Sequence, residues 1–236
     1  MKKAVFASIF AAIAFVANAQ TFSLGGRVGY NWNNVSVPNF NGTVNFKNFA
    51  SVNAGLVGDI GFGNNFSIQP ELNYTQKGFR LRQTGDVTIF NTPLAVGVSA
   101  VTKVNYLELP VLAKYRFGTE GVRFYLAAGP SVGYAIDGHL DTYATAIIDF
   151  KVATVPINFE QTNYKRFEVG GVVSAGVEFP IGNAKLFLDA RYTRGFNTVY
   201  EVPVVGAGVQ NAAFGGSVGF AVPFGSTRKK NALANR

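Results

Sequence analysis

Phe22-Ser23-Leu24-Gly25-Gly26-Arg27-Val28-Gly29-Tyr30-Asn31-Trp32 reads as an amphipathic strand. Its even positions are Phe, Leu, Gly, Val, Tyr and Trp; its odd positions are Ser, Gly, Arg, Gly and Asn. Successive side chains of a strand point to opposite faces, so this segment has one apolar, aromatic face and one small, polar face. Further segments repeat the pattern at 51–62, 66–77, 104–117, 122–136, 166–179, 185–193 and 212–224, bounded by turn residues. The predicted fold is all-β: a single eight-stranded antiparallel barrel.

The connections between these segments alternate in length. Those at 63–65, 118–121 and 180–184 are short; those at 33–50, 78–103, 138–165 and 194–211 are long. Short turns at one end and long loops at the other is the pattern of outer-membrane barrels, with the turns in the periplasm and the loops outside the cell. About eleven residues at ~3.3 Å each, tilted by ~40°, rise roughly 28 Å, enough to cross the apolar band. Phe22, Phe62, Phe66, Phe117, Phe179 and Phe224 fall near the short turns, and Tyr30, Trp32, Tyr74, Tyr134, Phe167, Tyr192 and Phe214 near the long loops. Rings gathered at both ends of the strands suit two headgroup girdles. Segments 88–101 and 142–157 are apolar and β-branched. They suit an extension of the hairpins, a cover over the mouth or a contact with a partner.

Met1-Lys2-Lys3, an apolar run from Ala4 to Val16, and Ala17-Asn18-Ala19 have the form of a signal peptide over 1–19, cleaved between Ala19 and Gln20. The expected barrel domain is 20–225, followed by a basic tail at 226–236 read as disordered. Formal net charge is +8, with Arg228, Lys229, Lys230 and Arg236 concentrated in that tail. An exported chain with no recognisable binding motif is a poor candidate for nucleic acid. There is no cysteine, so strand pairing and packing must hold the fold.

Alternation alone leaves two arrangements. A soluble lipocalin-like barrel binding an apolar ligand has the apolar face inside; a membrane barrel has it outside. The polar face is rich in glycine: Gly25, Gly29, Gly55, Gly61, Gly129, Gly133, Gly170, Gly176, Gly215 and Gly219. Small residues suit the narrow lumen of an eight-stranded barrel, which favours the membrane form in the outer membrane of a Gram-negative bacterium.

Three stretches carry a family likeness. Tyr106-Leu107-Glu108-Leu109-Pro110-Val111-Leu112-Ala113-Lys114-Tyr115-Arg116-Phe117 resembles the fourth strand of the PorT-like family of small bacterial outer-membrane β-barrels. Phe124-Tyr125-Leu126-Ala127-Ala128-Gly129-Pro130-Ser131-Val132-Gly133-Tyr134 is similar to the strand that follows, and Gln69-Pro70-Glu71-Leu72-Asn73-Tyr74-Thr75-Gln76-Lys77-Gly78 to the third. The resemblance implies the barrel fold and says little about activity; some members resemble components of protein secretion to the cell surface. The chain departs from the usual aromatic ending, because the basic tail follows Phe224.

Nearly all charges within the strands share the polar face: Arg27, Asp59, Glu71, Glu108, Lys114, Arg116, Arg123, Arg166, Glu168, Glu178, Asp189 and Arg191. Buried charges must be paired, and this set holds as many acids as bases, so it reads as a structural network filling the lumen. A catalytic or conducting lumen is the alternative. His139, the only histidine, lies beside Asp137 and Asp141. A hydrolase or acyltransferase acting on lipid is conceivable there, but a solvated loop histidine is the plainer reading. With one histidine and no cysteine, a Cys/His metal site is excluded, and Asp137/Asp141 do not have the spacing of an EF-hand. The G-x-G spacings lie inside strands and build no phosphate loop. No catalytic residue, metal or cofactor is assigned. The expected partners are outer-membrane lipid and an envelope protein meeting the long loops, with the barrel itself monomeric.

Overall fold

The computed structural model describes residues 21–36, 46–89, 92–118, 121–145, 149–162, 164–202 and 207–224. The expected signal peptide over 1–19, its expected cleavage site and the tail 226–236 lie outside the described residues. The strands are β1 (Thr21–Ser36), β2 (Phe46–Lys47), β3 (Phe49–Phe62), β4 (Phe66–Ile89), β5 (Thr92–Gly118), β6 (Arg123–Thr145), β7 (Asp149–Pro156), β8 (Phe167–Ile181), β9 (Ala184–Gly195), β10 (Tyr200–Val202) and β11 (Ala207–Phe224). Antiparallel pairing runs β1-β3-β4-β5-β6-β8-β9-β11, and β11 returns to β1 from Phe22 opposite Phe224 to Ser36 opposite Gln210. The hydrogen bonds therefore form a ring, which removes the unpaired edges of an open sheet.

The burial pattern is inverted relative to a water-soluble protein. Val52 and Leu56 on β3 are 64% and 57% exposed, while Glu71 and Lys114 are only 3% and 2% exposed. Leu24, Val28, Leu109, Leu126, Val173 and Phe220 share the exposed surface; Arg27, Asp59, Gln69, Arg116 and Glu178 share the interior. In water so large a contiguous apolar surface is strongly unfavourable, whereas lipid solvates it. The lipocalin-like alternative, which needs the apolar face inside, is overturned by this arrangement.

Glycine with positive φ closes each short connection: Gly63 at 74°, Gly118 at 115° and Gly182 at 59°. An L-residue with a side chain is strained in that region. Beside these turns, rings pair across strands at 6.3 Å (Phe22 and Phe224), 6.2 Å (Phe62 and Phe66) and 6.0 Å (Phe117 and Phe124). At the other end Trp32 lies 5.3 Å from Tyr30 and 6.3 Å from Phe214. Past Tyr74 and Leu107 the same face turns polar at Gln76 and Asn105, and past the exposed Ile136 at Asp137. Gln76 Nε2 donates to Asn105 Oδ1 at 2.9 Å, and Asn105 Nδ2 to Asp137 Oδ1 at 2.7 Å.

The far ends of the strands differ from the sequence reading. The stretch 78–103, read as a long connection, is instead a continuous ladder in which β4 and β5 pair up to Ile89 opposite Thr92. Likewise β6 runs to Thr145 and pairs with β7. Valine and threonine in these stretches favour extended backbone, so pairing continues past the girdle. Gly78, the first residue of that expected connection, lies within the ladder; a Cβ there would run into the Thr102 carbonyl, so the residue permits close approach of two strands. Ile136 is an extra residue between Ala135, opposite Tyr106, and Asp137, opposite Asn105. This bulge leaves the extension out of step with the barrel below it.

Candidate functional site

The interior is a stack of ion-paired layers. Nearest the short turns, Arg116 donates through Nε to Glu178 Oε2 at 2.9 Å, through Nη1 to Ser67 Oγ at 2.9 Å, and through Nη2 to Asp59. Lys114 bonds Glu178, donates to Gln69 Oε1 at 3.0 Å, and stands 3.8 Å above the centre of the Tyr125 ring. Two bases therefore meet two carboxylates.

The middle layer centres on Glu71. Arg191 grips it with two parallel bonds, Nη1 to Oε2 at 2.7 Å and Nη2 to Oε1 at 2.9 Å. Arg27 Nη1 adds a third at 3.1 Å, and Gln69 and Asn73 donate at 2.6 and 2.8 Å. Asp189 completes the layer. It lies 3.5 Å from Arg27 Nη2 and accepts from Ser217 Oγ at 2.8 Å and Tyr125 OH at 3.1 Å. The fork geometry of guanidinium and carboxylate makes such pairs directional as well as strong.

In the upper layer Lys77 Nζ sits between Glu108 Oε1 at 2.6 Å and Glu168 Oε1 at 2.5 Å. Asn211 Nδ2 donates to the other oxygen of Glu168 at 2.5 Å. Above it, the chain between β7 and β8 folds over the mouth. Phe159 is buried there against Val104, Tyr106 and Ala135. The Tyr106 and Tyr164 hydroxyls are 2.6 Å apart, and the Tyr164 ring stacks on Tyr200 with centres 6.1 Å apart. Lys165 N donates to Val199 O at 2.8 Å, which ties this cover to the segment before β10.

Of the charged residues singled out from the sequence, the structure brings together Arg27, Asp59, Glu71, Glu108, Lys114, Arg116, Glu168, Glu178, Asp189 and Arg191. Two stand apart. Arg123 lies at the short-turn mouth and donates to the Asn64 main-chain oxygen at 2.5 Å. Arg166 lies over the Phe159 ring at 4.8 Å, at the opposite mouth. Lys77, on the polar face with Gln69, Glu71 and Asn73, is absent from that charged set, yet it anchors the upper layer. The sequence reading also overlooked an apolar interior cluster of Val57, Leu112, Tyr125, Ala127, Val172 and Phe187. Its members lie at inward positions too; residue type hid what their parity disclosed. Gly176 and Gly219 leave the space that the Tyr125 and Phe187 rings fill.

His139 and its neighbours lie in the extension beyond the girdle. Asp141 accepts from Lys103 Nζ at 2.8 Å, Lys151 Nζ at 2.8 Å and Thr154 Oγ1 at 2.7 Å, while His139 Nε2 is 3.9 Å away. The carboxylate is thus committed to pinning β7 onto β5 and β6. Burial opposes its ionisation, but the hydrogen bonds from Lys103, Lys151 and Thr154 prevail and hold it well below the usual carboxylate range. The same carboxylate raises the Lys151 ammonium above its ordinary value. A depressed carboxyl contributes stability above its unfolded-state pKa and loses it as pH falls through the folded-state value. Protection of the β7 amides, taken as exchange relative to the intrinsic rate at each pH, is therefore expected to persist from neutral pH to below the normal aspartate range. In Asp141→Asn that protection is expected to be low throughout the same range. Equal protection in both proteins contradicts the pin.

Solved structures with similar folds include neisserial surface protein A, at 16% identity over 86% of this chain and 97% of that one, with a TM-score of 0.41. The attachment invasion locus protein Ail of Yersinia pestis matches at 14% over 86% and 98%, TM-score 0.38. A major outer membrane protein of Thermus thermophilus matches at 12% over 86% and 99%, TM-score 0.40. A search of curated proteins finds no match. The sequence profile described as "Outer membrane protein beta-barrel domain" matches residues 18–201, most of the chain. With its closed ladder, apolar exterior and ion-paired interior, the chain belongs to this outer membrane protein β-barrel family and is an integral, transmembrane protein of the outer membrane.

Proposed function

We propose that this chain is an eight-stranded, monomeric barrel of the PorT-like kind, exported by a signal peptide cleaved between Ala19 and Gln20. It acts without catalysis, through its long-loop side, by meeting an envelope partner there. The observation that carries this reading is the filled interior. Ion-paired layers and the Tyr106–Tyr164 cover occupy the lumen, which argues against a solute path along the axis. Asp141 is engaged by two lysines and a threonine, which leaves it poorly disposed to orient His139 as a general base. The surface of the strand extensions and loops is then the part available to a partner.

This reading requires the long side to face the cell exterior, and the absence of native cysteine makes labelling clean. Asn158 and Asn183 are both exposed, at opposite ends of the barrel. Asn158→Cys is expected to react with a membrane-impermeant thiol reagent on intact cells. Asn183→Cys is expected to react only once the outer membrane is permeabilised. The reverse pattern overturns the topology and the loop-side role with it.

A further inference from the structure

At the short-turn end the lumen opens into a polar vestibule of about 510 Å³. Asp59 and Arg116 are buried at its base, and Arg123 and Lys185 are half-buried at its rim. The base is electrically balanced, because Asp59 and Glu178 are engaged by Arg116 and Lys114. The rim is not. Among the described residues neither Arg123 nor Lys185 has a carboxylate partner. Glu178 stands opposite Arg123 in the ladder, but its two oxygens are taken by Lys114 and Arg116. Arg123 instead donates one Nη2 bond to the Asn64 carbonyl, which holds its guanidinium at the opening with further N–H groups free.

Two uncompensated cations thus face one concave, polar space that is too small for a folded domain. A guanidinium fork beside an ammonium is suited to a tetrahedral or planar oxyanion. Positive charge around a polar recess raises the local concentration of anions. We propose that the vestibule is a binding site for an oxyanion of the phosphate class, with Arg123 and Lys185 as its charged ligands. The site is at the opposite end from the loop-side surface and stands or falls separately from that role.

The test is a titration of the ¹⁵N-labelled protein in zwitterionic micelles with inorganic phosphate at constant ionic strength. Saturable shifts are expected at the Arg123 side chain and at the amides of Asn64 and Asn65. Arg123→Gln with Lys185→Gln is expected to weaken binding about tenfold or more, since two charge-assisted contacts are lost. The charge-conserving pair Arg123→Lys with Lys185→Arg is expected to retain most of it. Lys165→Gln, exposed at the far end, serves as the control. A second arm replaces micelles with nanodiscs of phosphatidylcholine, with or without phosphatidylglycerol. Shifts that arise with phosphatidylglycerol alone assign the anion to a lipid headgroup; shifts that need added phosphate assign it to a soluble one. Linear, non-saturating shifts overturn the proposal, as does equal affinity in the Gln pair and the parent.

Discussion

Replacing Glu71 with leucine is expected to lower the stability of the folded barrel by about 3–5 kcal/mol, the usual consequence of removing one partner from a buried ion pair. Glu71 accepts from Arg191 twice, from Arg27, and from Gln69 and Asn73. Without it, Asp189 alone faces two buried guanidinium groups. Leucine has a similar volume, so little of the loss is a cavity effect. The single tryptophan, Trp32, lies on the exterior beside Tyr30 and Phe214, and its fluorescence reports unfolding in urea. Loss of the folded form at a much lower urea concentration supports the network. An unchanged midpoint contradicts it. Glu71→Gln, which keeps some hydrogen bonding while removing the charge, is expected to fall between the two.

The second large effect concerns Gly176. A Cβ at this position would run into both the Leu188 carbonyl and the Tyr125 ring. Tyr125 cannot yield freely, because its hydroxyl donates to Asp189 and its face carries Lys114. Gly176→Ala is therefore expected to cost about 1–3 kcal/mol, at the upper end of that range because moving the ring disturbs two ion-paired layers. Gly216 makes the matched control. It is exposed, and the only atom within contact range of a Cβ there is the Asp189 carbonyl oxygen at 3.6 Å. Gly216→Ala is expected to change stability by no more than about 0.5 kcal/mol. Equal effects at the two positions contradict the claim that inward glycines make room for interior rings.

The pattern of legibility in the sequence follows from the physics of each signal. Strand ends beside the short turns are marked by Gly63, Gly118 and Gly182, whose backbone geometry disfavours other residues. The opposite ends carry no such mark. Between Gly78 and Lys103 the chain remains β-branched, and nothing local says where the membrane stops and the ladder continues. Charge at alternate positions identifies the interior because lipid excludes it. Tyr125 and Phe187 carry no charge, and their inward placement follows only when parity outranks residue type. The Tyr164 cover and the bulge at Ile136 arise from contacts between distant segments, which periodicity does not encode.

The ion-paired layers also constrain how the chain enters the membrane. Arg191 and Glu71 are 120 positions apart, Lys77 and Glu168 are 91 apart, and Lys114 and Glu178 are 64 apart. A hairpin of β3 and β4 inserted alone therefore brings Glu71 and Lys77 into the bilayer before β8 and β9 supply Glu168 and Arg191. Isolated charges in hydrocarbon are costly, so a partial barrel has no comfortable depth at which to wait. The two lower layers reach charge balance, and Lys77 gains Glu168 as a partner, only as the ring closes. The distant pairing that seals the mature lumen thus makes insertion and closure one cooperative event, with a rate governed by long-range encounter rather than by local hairpin formation.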